Sequence, residues 1–105
     1  MSKISNYYEN KILEHMLRNQ AFTVPTYTGL ALYTGTPSDA GVGTEAAGGA
    51  YARQAITLGT ASDGVSRNTS EITFPTATAD WGTLVAVGVF DAPTAGNLLM
   101  WGVLG

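Results

Sequence analysis

The residue types that most often carry chemistry are scarce in this chain of 105 residues. His15 is the only histidine, and it follows Glu14 directly, with Lys11 one helical turn earlier. A general base needs a positioned partner and a cleft, and no G-x-S-x-G nucleophile motif occurs. We therefore predict no catalytic residue, no cofactor-binding residue and no enzymatic activity, with His15 as an ordinary surface or interface side chain.

Two carboxylates and one arginine are the other candidates for chemistry. Asp39 and Glu45 lie in the glycine-rich segment 36–49, where loop oxygens could bind a hard cation such as calcium. Their spacing does not fit an EF-hand, so we favour a solvated loop and predict no metal site. Arg53 keeps its proton at ordinary pH and cannot act as a base. We expect it to pair with a carboxylate or a backbone carbonyl at the sheet rim or at a subunit contact.

Composition excludes several classes of protein. The chain has no cysteine, so it has neither a disulfide nor a thiolate metal site. A net charge of −3 argues against electrostatic binding of nucleic acid or of an anionic membrane. No apolar run reaches the roughly 18 residues of a membrane span, and no apolar stretch typical of a signal peptide follows Lys3.

The low charge density itself points to assembly. Charged residues make up 12% of the chain, against about 25% in a typical soluble domain. A surface with so few charges is poorly protected against association. We therefore expect much of it to be buried against other chains, with a threonine-rich monomeric β-domain as the alternative.

A helical repeat marks the N-terminal segment. Apolar side chains recur there every four residues, which places them on one helical face. They are Ile4, Tyr8, Ile12 and Met16. With Ser2 or Ser5 as the N-cap, the pattern predicts a helix over residues 3–19, packed against its own sheet or another subunit.

From residue 27 onward the apolar pattern alternates, which is typical of β-strands. Strands are predicted within the segments 27–35, 51–59, 71–75, 83–91 and 98–104. The glycine-rich segment 36–49 is predicted to be a long mobile loop. The fold class is therefore α+β and mainly β, as a single domain of residues 1–105. An N-terminal helix over 1–20 precedes about five antiparallel strands over 27–105, which form a small sheet or sandwich.

The last predicted strand is apolar on both faces. We expect Leu99, Trp101 and Val103 on one face, and we place Leu98, Met100 and Leu104 on the other. A strand of this kind is normally buried on both sides, so one face needs another sheet or another chain. The predicted interface residues are accordingly Ile4, Tyr8, Ile12, Met16, Leu99, Trp101 and Val103.

Three stretches of the sequence are distinctive in combination. They are MSKISNYYENKILEHML at the start, GGAYARQAITLG in the middle and ITFPTATADWGTLVAVGVFDAPTAGNLLMWG near the end. Together they resemble a family of small tailed-bacteriophage virion proteins, commonly labelled tail fibre or minor tail proteins. The resemblance implies a non-enzymatic structural part of a phage particle. It also implies that relatives run on past GNLLMWG to a further strand, which would cover segment 98–104.

The leading hypothesis is a virion structural protein of the tail or tail-fibre type, assembled in the host bacterial cytoplasm. It would act by homo-oligomeric assembly, as a trimer given the three-fold symmetry usual in phage fibres. The expected partners are copies of itself and neighbouring virion proteins, without cofactor, nucleic acid or membrane. A capsid decoration (cement) protein is the first alternative. A carbohydrate-binding module that uses Trp81, Trp101 and the tyrosines is the second.

Overall fold

The structure, a computed structural model, describes residues 2–22, 25–63 and 66–104. Within these ranges the chain forms one helix and six short strands that share a single sheet. The elements are β1 (Ser2–Ile4), α1 (Asn6–Leu17), β2 (Gly29–Gly35), β3 (Thr44–Glu45), β4 (Gln54–Ala55), β5 (Ala86–Phe90) and β6 (Leu98–Val103).

The strands lie in the order β1-β6-β5-β2-β3, and β4 pairs with β2 beside this path. Every pairing is antiparallel, with β5 central between β2 and β6. The predicted helix followed by five antiparallel strands is confirmed. Of the two arrangements predicted, the protein adopts a single open sheet.

The helix begins at Asn6, so the predicted start at residue 3 is wrong. Ser5 is the N-cap, and its hydroxyl accepts a hydrogen bond from the Tyr8 amide at 3.2 Å. The same hydroxyl donates to the Leu98 carbonyl. Residues 2–4 pair with β6 instead, which places Ile4 opposite Met100 and off the helix. Tertiary pairing with β6 thus overrides a local pattern that also fitted a helix.

The two faces of the sheet differ in side-chain size and burial. In β2, Leu30 and Leu32 lie on one face and Ala31 and Tyr33 on the other, as the alternating pattern of a strand requires. The buried face is the one that carries small and aromatic side chains. Its core consists of Ala31, Tyr33, Ala86, Phe90 and Leu98.

Glycine in β5 allows this packing of aromatic rings over small residues. A Cβ added at Gly88 would lie 2.9 Å from Leu98 Cδ1 and 2.9 Å from Tyr33 Cε1. The rings of Tyr33 and Phe90 stack with their centroids 6.3 Å apart. The side chains of Leu98 and Tyr33 therefore pack directly against the backbone of Gly88, which has no side chain.

Strand β6 contains an irregularity that changes its faces. Val89 pairs with Met100, whereas Phe90 pairs with Leu98, so Leu99 has no partner in the ladder. A bulge of this kind inserts one extra residue and shifts the alternation. Leu98 therefore lies on the core face, and its predicted place beside Met100 is wrong.

Three predictions about the middle of the chain need correction. Segment 71–75 forms no strand, and Pro75 within it has no N–H to donate to a ladder. Segment 51–59 contributes only β4 and an isolated bridge between Leu58 and Asn68. The predicted loop 36–49 contains β3, and Ala46, 4% exposed, donates its amide to the Leu32 carbonyl.

Candidate assembly interface

One face of the sheet, here called the open face, is apolar and incompletely covered. The register aligns Ile4, Met100, Val89 and Leu30 across four adjacent strands. Beside this row, Val87 pairs with Leu32 and with Gly102. None of these residues is buried, and Ile4 is 41% exposed.

A shallow groove lies on the open face. Its volume is about 140 Å³. The side chains of Val87, Val89 and Met100 line it, together with Gly88, Trp101 and Gly102. Gly88 and Gly102 contribute no side chain to this groove.

The helix leaves a second apolar surface, here called the helix stripe, which consists of Leu13, Met16 and Leu17. These side chains are 53%, 72% and 76% exposed, and their spacing places them together on the helix surface. Helix α1 buries none of its twelve residues. Helices shorter than about 12–15 residues are marginal in water on their own, so packing contacts are important for this helix.

The opposite side of the helix packs against the segment that follows it. The ring of Phe22 lies 5.9 Å from that of Tyr8 and 6.1 Å from that of His15. Ile12 is half-buried. This local contact turns the helix stripe toward solvent.

Arg53 connects three parts of the chain through its side-chain contacts. Its side chain is 6% exposed and donates two hydrogen bonds to the Glu45 carboxylate, each 2.8 Å long. It also donates to the carbonyls of Ala92 and Ala95, at 3.0 and 2.7 Å, in the turn between β5 and β6. Its guanidinium carbon lies 3.7 Å from the centroid of the Phe90 ring. The expected pairing with a carboxylate and backbone carbonyls is confirmed.

Protonation states in this cluster follow from burial and from the ion pair. Burial and the nearby Glu45 charge raise the pKa of Tyr33 to about 12. Burial and the hydrogen bond to Glu45 also raise the pKa of Tyr51. Burial alone would raise the pKa of Glu45, but hydrogen bonds from Arg53 and Tyr51 lower it overall. The cluster therefore holds one carboxylate, one guanidinium and two neutral phenols at neutral pH.

This lowered pKa predicts a specific acid sensitivity. The pKa of Glu45 lies below its ordinary value of 4.5 in the folded chain. Its ionised form therefore stabilises the fold above the unfolded-state pKa, and this contribution is lost as the pH falls through the folded-state value. We expect Glu45→Gln to lower the melting temperature at neutral pH and to flatten its decline between about pH 6 and pH 3.

Thermal melts across this pH range measure the effect. Glu71→Gln is the matched control, because Glu71 is exposed and bonds only to the Thr73 hydroxyl among the contacts described. Parallel pH profiles for the wild type and Glu45→Gln would contradict the assignment.

The predicted interface residues do not form one patch. Leu99 is 2% exposed within its own chain, and Trp101 is half-buried, with its indole N–H donating to Asp39 at 2.9 Å. Met16 and Val103 are 72% and 50% exposed. Leu13 and Leu17, which are 53% and 76% exposed, lie beside the predicted face of the helix and are not among the predicted interface residues.

The side chains considered as candidates for chemistry make contacts within the chain. Asp39 accepts a hydrogen bond from Trp101, and Glu45 accepts from Arg53. Exposed His15 has Nδ1 3.0 Å from the Gln20 carbonyl oxygen. Within residues 2–22, 25–63 and 66–104, no three histidine or acidic side chains converge as metal ligands. In the same ranges no helix has the length and apolarity to cross a bilayer.

The two tryptophans make separate contacts within the chain. Trp81 donates its indole N–H to the Gly49 carbonyl at 2.8 Å and packs edge-on against Tyr51. Trp101 is held separately by Asp39 and packs against the core. Both rings therefore serve packing within the chain.

A mainly β domain with one exposed and one partly covered apolar surface is typical of structural proteins that assemble. Residues 3–105 match the family described as podophage GP4 fiber I protein gp80, a family of phage tail fibre proteins. The chain belongs to this family, and it is a component of the phage virion. A comparison with curated proteins finds no match to the chain.

Proposed function

We propose that this protein is a building block of a phage fibre and acts by assembling with copies of itself. It forms a homo-oligomer, with three copies as the expected state, in the host bacterial cytoplasm. Neighbouring virion proteins are its other partners, and nucleic acid, membrane and cofactors are not. Its role is mechanical, without catalysis. Membership of a phage fibre family supports this proposal.

The observation that carries the proposal is the size of the exposed surface. The chain exposes 6851 Å², whereas a compact monomer of 10.9 kDa exposes about 5,600 Å². The excess of roughly 1,250 Å² is larger than the roughly 800 Å² that each partner buries in a stable interface. Much of the surface that a monomer of this size would cover is thus available to neighbouring copies.

The overall dimensions agree with this interpretation. The radius of gyration is 14.5 Å and the longest dimension is 47 Å. A compact domain of this length has a radius of gyration of about 13 Å. The chain is elongated, and such a shape can gain contacts through assembly that it lacks alone.

Sedimentation velocity and light scattering at micromolar concentration test the proposal. We expect a species of about 33 kDa, which is three times the 10.9 kDa chain mass. Dilution should dissociate it cooperatively, because subunit association and folding are linked by mass action. A stable and soluble monomer at micromolar concentration would contradict the proposal.

A further inference from the structure

We infer that the helix stripe of one copy packs across the open face of the next copy. This inference rests on the proposed self-assembly and names the two surfaces that meet. The contact is head-to-tail, since each copy contributes a different surface to each of its two neighbours. Contacts of this type close into a ring when the rotation between copies allows it.

Among residues 2–22, 25–63 and 66–104, neither surface is fully covered by its own chain. The three residues of the helix stripe are each more than half exposed. On the open face, none of the four residues of the aligned row, from Ile4 through Met100 and Val89 to Leu30, is buried. A helix that covers an apolar sheet face is one of the standard two-layer arrangements of protein domains, and in the described residues the helix stripe is exposed rather than packed on the sheet.

The dimensions of the two surfaces match. Helix α1 has twelve residues, which corresponds to a length of about 18 Å. The row of Ile4, Met100, Val89 and Leu30 crosses four strands, or about 14 Å at the usual strand spacing. One helix can therefore cover the row completely.

The groove provides a place for a side chain from the helix. Its volume of about 140 Å³ is several times the roughly 30 Å³ that one water occupies in the liquid. Valine and methionine side chains line it together with Gly102, which has no side chain. The aliphatic side chains of Leu13, Met16 and Leu17 are suited to this site.

Charge disfavours a contact between two sheets. Residues 6–22, which include the helix, contain two basic and two acidic side chains, whereas the rest of the chain, which includes Lys3 in β1, contains three basic and six acidic ones. A sheet–sheet contact therefore brings equal negative net charges together, which disfavours association. A helix of one copy on the sheet of another avoids this repulsion.

Engineered disulfides test the arrangement, since the chain has no cysteine of its own. The probe is the full chain with Leu17→Cys and Val87→Cys together, oxidised and resolved without reducing agent. We expect covalent dimers and trimers. Each single variant should remain unlinked, because equivalent positions of different copies do not meet in a head-to-tail contact.

Two further pairs of substitutions serve as an alternative geometry and as a control. Met16→Cys with Val87→Cys offers a second geometry if the first pair is misaligned. Leu17→Cys with Leu58→Cys is the control, because Leu58 is 51% exposed but lies outside the open face. We expect the control pair to form at most a tenth of the linked species. Sedimentation of each reduced variant establishes that it assembles like the wild type.

Each other outcome overturns the inference. Linked dimers from Leu17→Cys alone mean that helices meet helices, and linked dimers from Val87→Cys alone mean that sheets meet sheets. An internal disulfide in a monomeric band means that the helix covers its own sheet. An intact oligomer without links from either pair means that other surfaces assemble, which leaves the proposed function standing. A protein that is monomeric in solution would contradict both the inference and the proposed function.

Discussion

Arg53→Ala is expected to lower the free energy of unfolding by about 3 kcal/mol or more, since it removes one partner of a largely buried ion pair. The substitution leaves the Glu45 carboxylate without its two hydrogen bonds from the guanidinium. It also frees the carbonyls of Ala92 and Ala95 and removes the cation over the Phe90 ring. Three separate parts of the chain lose their common contact at once.

Chemical denaturation at fixed protein concentration measures this loss. Arg67→Ala is the matched control, because Arg67 is exposed and exposed charges contribute about 0–1 kcal/mol. Arg53→Lys should lie between the two variants, since lysine keeps the charge but cannot form the two-pronged contact. Equal stability of Arg53→Ala and Arg67→Ala would show that the cluster contributes little.

Leu99→Ala is expected to cost roughly 2–5 kcal/mol, the range for truncation of a buried leucine. Leu99 is 2% exposed and is the extra residue of the β6 bulge. Its carbonyl accepts the Ser5 amide at 2.8 Å, so a shift of this residue also disturbs the start of the helix. The effect should therefore appear in the helical circular dichroism signal as well as in the unfolding midpoint.

Leu58→Ala is the control for this truncation, because Leu58 is 51% exposed. Surface substitutions usually change stability by no more than about 0.5 kcal/mol. If both variants unfold at the same denaturant concentration, the cavity expected at Leu99 does not form.

Periodicity predicted the element types well but not their ends. The helical spacing of Tyr8, Ile12 and Met16 is borne out by α1. Ile4 fitted that spacing equally well, yet it pairs with Met100 across more than ninety residues. A local pattern does not contain such a partner, so β1 could not be separated from the helix.

Alternation predicted which residues share a face, but not which face is buried. The sheet buries Ala31 and Tyr33 and leaves Leu30 and Leu32 half-exposed. The stacked rings of Tyr33 and Phe90 need small residues beneath them. That requirement joins positions far apart in the sequence and becomes visible only once the strands are paired.

The contacts of Arg53 were predicted only in part, because strand pairing brings together residues that are far apart in the sequence. Arg53 was expected to bond a carboxylate or a backbone carbonyl, and it bonds both. The chain has eight acidic residues, and only the pairing of β3 with β2 brings Glu45 beside the arginine. The bulge at Leu99 has no signature in the alternating pattern of the sequence, so the predicted face of Leu98 is wrong.

The attachment of the helix through Ser5 determines how tension would pass through this protein. Helix α1 follows β1 directly, and β1 lies along β6 with three residue pairs. The Ser5 amide and hydroxyl add bonds to the carbonyls of Leu99 and Leu98. Interstrand hydrogen bonds stand perpendicular to antiparallel strands, so a pull along β1 strains them together in shear. A fibre stretched through its helices would thus resist rupture collectively, whereas strands peeled from one end break bond by bond.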